Sequence, residues 1–142
     1  MKLYLVGLFT AAMLMVSTSI LADGHQSEAP AGAKVYFVSP QDGERVTGPV
    51  TVVFGLEGMG VAPAGVEKAN TGHHHLLIDV DEVSLTTPIL SDGNHVHFGG
   101  GQTQTTIELA PGKHTLQLLL GDHNHIPHNP PIMSEQITIH VE

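Results

Sequence analysis

His73-His74-His75-Leu76-Leu77-Ile78-Asp79-Val80 alternates in a way that only an extended chain can exploit. Successive side chains of a strand point to opposite faces. His74, Leu76, Ile78 and Val80 therefore share one face, and His73, His75, Leu77 and Asp79 share the other. The first face reads as core, with His74 a satisfied core histidine. The second puts His73 and His75 toward solvent or a groove.

The same period of two recurs on both sides. Upstream, Val35–Val38 forms a strand, and Ser39-Pro40-Gln41-Asp42-Gly43 turns because Pro restricts one φ and Gly accepts a positive one. Val50, Val52, Phe54 and Leu56 then alternate with Thr51, Val53 and Gly55. Downstream, Thr103–Leu109 and Thr115–Leu120 flank a Pro111-Gly112 turn, and Ile137, Ile139 and Val141 alternate with Thr138, His140 and Glu142. No segment has helical periodicity and no stretch repeats at solenoid spacing. About seven short strands separated by turn residues predict an all-β chain, an immunoglobulin-like antiparallel β-sandwich, with a small Greek-key barrel as the alternative. Residues 57–72, rich in Gly and Pro, form a long loop of the kind that often carries function.

Before this domain, Lys2 and the apolar run Leu3–Ile20 lead to Ser19-Ile20-Leu21-Ala22, the pattern of a secretory signal peptide over 1–22 cleaved after Ala22. An uncleaved membrane anchor is the alternative, since the run is nearly long enough to span. Residues 23–33 read as a flexible lead-in and 34–142 as a single domain. The expected location is periplasmic or secreted, without stable membrane association after cleavage. The chain has no cysteine, which excludes a lipid-anchored lipoprotein, a disulfide framework and a thiolate-based blue-copper centre. Five Lys and Arg face fourteen Asp and Glu. So few cations cannot displace counterions from a phosphate backbone, and nucleic acid is excluded as a partner. A negative field attracts metal cations instead. No P-loop, dinucleotide fingerprint or nucleophile elbow is present. Gly99-Gly100-Gly101 lacks a strand-to-helix context, and Met59 and Met133 read as core filler.

Eleven histidines in 142 residues matter chiefly by placement. His73 and His75, His95 and His97, and His123 and His125 are three H-x-H pairs, and an i, i+2 pair on a strand offers two imidazoles to one ion. Neutral imidazole suits Zn, Cu, Ni and Fe. His128 follows in a loop that Pro127, Pro130 and Pro131 restrict, so an ion there orders less chain. The expected metal site is His73, His75, His95, His97, His123, His125 and His128. Asp79, Asp92 and Asp122 are available to hydrogen-bond histidines, either as partners in a structural network or behind metal ligands. His114, in phase with Leu116 and Leu118, reads as core, and His140 as solvated. Cleavage after Ala22 would also expose Asp23-Gly24-His25, whose amine, amides and imidazole offer a separate planar nitrogen site for Cu(II) or Ni(II).

The stretches VYFVSPQDGERVTGPVTVVFGLEGMGVAPAGVEKANTGHHHLLID, NHVHFGGGQTQTTIEL and PGKHTLQLLLGDHNHIPHNPP closely resemble a bacterial family designated domain of unknown function 4399. That resemblance implies an exported, stand-alone domain and carries no activity or residue role. Asn94-His95-Val96-His97-Phe98-Gly99 also looks like the metal-binding segment of copper–zinc superoxide dismutases, though the disulfide cysteines of those enzymes are missing. The resulting expectation is a histidine-rich protein that binds copper, or else zinc, for carriage, buffering or resistance. The competing expectations are a non-catalytic sandwich that binds a protein or cell-envelope partner, and a dismutase-like enzyme.

Overall fold

A computed structural model of the chain describes residues 25–142. The expected signal peptide and Asp23-Gly24 lie outside the described residues. Nine strands run through the rest: β1 (Lys34–Ser39), β2 (Arg45–Val46), β3 (Val50–Glu57), β4 (Gly60–Val61), β5 (Thr71–Ile78), β6 (His95–His97), β7 (Gln104–Ile107), β8 (Gly112–Gly121) and β9 (Ile137–Val141). There is no helix among the described residues. The count exceeds the expected seven because β2 and β4 are two-residue strands, too short to leave an alternating signature.

The strands form two sheets. One has the order β1-β3-β7; the other runs β2-β9-β8-β5, with β4 and β6 both pairing the far edge of β5. The pairings are antiparallel except β2 with β9 and β4 with β5. Thus the fold is an all-β sandwich of uneven layers.

Alternation along each strand decides what lies between the sheets. Val35, Val50, Val52 and Phe54 from the small sheet meet Leu76, Ile78, Leu116, Leu118, Leu120 and Ile139 from the large one, all buried. Burying a Leu- or Ile-sized side chain is worth about 1.5–3 kcal/mol, so this layer is the main source of stability. The Ser39–Gly43 turn behaves as its sequence predicts, with Gly43 at φ 78°, a conformation that costs Gly little.

The large sheet is covered on its outer face as well. Residues 79–94 cross it, and Leu77, Ile89 and Leu119 form a second apolar cluster there with Val80, Val83 and Leu85. That cover buries Leu77, and His97 and His125 pack on His73 and His75, so β5 is buried at every position from Gly72 to Ile78. This burial also corrects the expectation that His73 and His75 face solvent or an open groove. They do oppose the Leu76–Ile78 face, yet both are fully buried. Val80, expected on the core face, instead joins the outer cluster, because Asp79 takes a positive φ of 55° and breaks the alternation.

Candidate metal centre

The outer face of β5 carries His73 and His75. Register places His75 opposite His97 on β6, and opposite Leu119 on β8. Three imidazoles therefore come from the two paired strands. The fourth, His125, comes from the loop after β8. Ring centres of His73–His75, His73–His97, His73–His125, His75–His97 and His97–His125 are 4.8, 5.0, 5.0, 5.1 and 4.8 Å apart, and His75–His125 is 6.1 Å. Each of His73, His97 and His125 offers a ring nitrogen within 4.8 Å of the other two, and the His75 ring packs beside that set without belonging to it.

Three rings of this cluster, His73, His75 and His97, are pushed toward the neutral form. Both nitrogens of His73 and of His75, and Nε2 of His97, are buried with no hydrogen-bond partner among the described residues. Burial, then the neighbouring His125 and His97, push His73 down to about 4, against the opposing pull of the Asp122 carboxylate. Burial and the other three imidazoles push His75 down to about 3. His97 is lowered by burial and by His125. Unprotonated imidazole is the form that ligates a metal.

Space for the rings is built into the backbone. A Cβ at Gly121 would lie 2.8 Å from His75 Cε1, and one at Gly99 would lie 2.3 Å from His97 Cε1. The run Gly99-Gly100-Gly101 by itself points to a sharp turn or a close backbone approach. The need for Gly121, and which ring fills each space, follow only from the placement of β8 and the 98–101 turn.

His125 is delivered by a wound loop. Its φ is 66°, uncommon for a residue with a Cβ. Hydrogen bonds hold it there: His125 N donates to the Asp122 carbonyl (2.9 Å), Asp122 N donates to the Ile126 carbonyl (2.9 Å), and Ile89 N donates to the His125 carbonyl (2.9 Å). The Asp122 carboxylate, fully buried, accepts from the amides of Asn124 (2.8 Å) and Ile126 (3.0 Å). A residue that bonds its own loop in this way is a familiar turn former.

The expected seven-histidine convergence is thus only partly met. His95 lies on the same face as His97 but opposite Leu77, and its Nδ1 donates to Asp92 (2.8 Å). His123 and His128 line a surface cleft of about 370 Å³ together with Thr71 and Asp122. Asn124 Nδ2 donates to His123 Nε2 (2.8 Å), and His128 Nε2 donates to the Thr71 carbonyl (3.2 Å). The physical reason is local. Residues 122–128 are a loop rather than a strand, so i and i+2 need not share a side, and His123 and His125 part. Residue His25 is exposed.

The remaining histidines divide differently from the sequence reading. His74 packs on Phe54 in the core, with ring centres 5.0 Å apart, but neither of its nitrogens has a partner among the described residues. The Gln102 backbone is near enough to oppose the downward push of burial on this ring, without forming a hydrogen bond of good geometry. His114 is the satisfied one. Its Nδ1 donates to Asp79 (2.7 Å) and its Nε2 to the Ala110 carbonyl (2.8 Å). Both partners are acceptors only, so the two bonds together require imidazolium. The alternation of β9 leaves His140 half-buried on its polar side. Of the three carboxylates, Asp79 and Asp92 bind histidines outside the cluster, while Asp122 binds its own loop.

No curated protein and no solved structure matches this chain. The model of the family described as Domain of unknown function (DUF4399) matches residues 52–142, a span that contains all four clustered histidines, and the chain belongs to that family.

Proposed function

We propose that this protein binds a transition-metal ion, zinc or copper, between His73, His97 and His125 with His75 as the fourth ligand, and serves in metal carriage, buffering or resistance in the periplasm or outside the cell. The observation that carries the proposal is the packing of four imidazoles against one another, with five buried nitrogens of His73, His75 and His97 unpaired among the described residues. An unsatisfied buried polar group costs about 1–3 kcal/mol. An ion that accepts one nitrogen from each ring offsets that cost, whereas hydrophobic packing alone does not.

The ring spacing speaks to the class of ion. With bonds of ~2.0–2.1 Å, the rings of a tetrahedral four-imidazole site sit about 5.2 Å apart, centre to centre. A square plane instead needs two cross pairs at roughly 6.4 Å and four near 4.5 Å. His73, His97 and His125, whose nitrogens come together, are 4.8–5.0 Å apart and nearly equidistant. Three corners of a square plane would include one separation of roughly 6.4 Å. The His75–His125 pair is 6.1 Å apart. This favours a tetrahedral ion, Zn(II) or Cu(I), over planar Cu(II), although Cu(II) is the stronger binder where geometry is indifferent.

The test is metal analysis of untagged protein never exposed to a nickel column, followed by titration of the metal-free protein with Zn(II). One tight equivalent that is lost in His73→Ala with His75→Ala is the expected result. Failure of the unaltered protein to retain or take up zinc or copper would defeat the proposal and leave a sandwich that binds some other partner.

A further inference from the structure

Three of the four clustered histidines stand on strands, and the fourth does not. His73 and His75 on β5 and His97 on β6 are fixed by sheet pairing. His125 is held by its own loop and by one backbone bond from Ile89 in the 79–94 crossing. An ion bound by all four can therefore leave most easily by displacement of the segment 122–128. What fastens that segment governs how long the ion stays.

Besides Ile89 N on the His125 carbonyl and Gly65 N on the His123 carbonyl, the side-chain fastening comes from the other end of the chain. Residues 26–29, expected as part of a flexible lead-in, are hydrogen-bonded across this loop. Ser27 Oγ donates to Asp122 Oδ2 (2.8 Å), the carboxylate whose other oxygen holds the Asn124 and Ile126 amides. Gln26 Nε2 donates to the carbonyls of both Leu85 (2.6 Å) and Pro127 (3.0 Å), which ties the 79–94 crossing to the His125 loop. The backbone adds Asn129 N to the Ser27 carbonyl (2.9 Å) and Ala29 N to the Asn129 carbonyl (3.0 Å). Gln26 and Ser27 are both partly buried.

We infer that Gln26 and Ser27 are positioning residues for the metal site, a latch that holds the Asp122 turn, and with it His125, closed over the ion. The inference rests on the metal reading above. Neither side chain touches the ion. Their effect is on how often the loop opens, so it falls on the release rate more than on the set of ligands.

Cobalt(II) is the probe, since its visible absorption reports the ligand set directly. The protein is taken as recovered from the cell, untagged, loaded with one equivalent of Co(II), and mixed with excess EDTA. Gln26→Ala with Ser27→Ala is expected to release cobalt about tenfold faster or more, the effect of losing three hydrogen bonds, with the cobalt spectrum before mixing unchanged. Ser27→Thr, which keeps the hydroxyl, restores slow release. In the metal-free protein the amides of 122–128 exchange with solvent faster in the double variant than in the unaltered chain, whereas those of β5 do not. Should the double variant prove unstable, Gln26→Ala alone carries the same expectation in smaller measure. Release at the unaltered rate overturns the latch and leaves the metal site standing. If the unaltered protein takes up no cobalt, the metal site itself is defeated and the latch with it.

Discussion

Two histidines two residues apart separate the possible accounts of this site. His125 joins the cluster and His123 faces the cleft with His128. His125→Ala should therefore weaken Zn(II) binding by more than the ~10–100-fold that changes behind a ligand usually cost. His123→Ala should leave the affinity within a few-fold. Competition against a chelating dye measures both, and equal losses would show that the loop presents its imidazoles otherwise. Gly121 makes the same argument from sterics. Its Cβ would fall 2.8 Å from Cε1 and 3.2 Å from Nδ1 of His75, a ring with no free side to retreat to. Gly121→Ala should cost about 1–3 kcal/mol by overpacking and weaken metal binding together with it, read by urea denaturation and by the same competition.

Among the elements, β5 and β8 are joined beyond their ladder by one ion pair. Asp79, just past β5, accepts from His114 Nδ1 (2.7 Å) and from Thr115 N (2.8 Å) on β8. The His114 ring is raised above its ordinary value, first by the Asp79 hydrogen bond. A histidine whose folded pKa is raised adds stability that is complete below the unfolded value near 6.5 and vanishes as pH climbs through the folded one. His114→Gln should hence destabilise the protein at pH 6, by no more than about 1 kcal/mol for so exposed a carboxylate partner, and much less at pH 9. Denaturation curves of the two proteins at both pH values test this, and a gap that widened with pH would contradict it.

At the scale of the whole molecule, the imidazoles buried on the two faces of β5 make the sandwich acid-sensitive. His73, His74 and His75 are pushed down to about 4, 4 and 3 by burial. Below the ordinary imidazole range the unfolded chain binds protons that the folded one refuses, so folded stability falls as pH drops from about 6.5 toward 4. The melting temperature of the metal-free protein should decline over that window. A flat profile would mean that these rings are not buried. Zinc should raise the melting temperature at neutral pH, because an ion that binds the folded state at a hundred times its Kd adds about 2.7 kcal/mol. The rise should disappear in His73→Ala with His75→Ala.

Strand content and strand faces were written into the chain locally. A period of two needs no tertiary information, so Leu76, Ile78, Leu116, Leu118 and Ile139 could be set on the core side before any fold was known. So could the opposition of His73 and His75 to that side. The family, too, is legible in the contiguous motifs. What depended on the tertiary structure was everything that joins distant segments. Register across β5, β6 and β8 selected His97 over His95. A turn wound around Asp122 separated His125 from His123. Packing of β6 and the His125 loop on β5 buried imidazoles that an isolated strand would expose. Gln26 and Ser27 acquired their place only because the chain brings residue 27 beside residue 122, 95 positions away. Alternation is a property of one strand, whereas a cluster of ligands is a property of the contacts between strands and loops, and those contacts leave no period in the sequence.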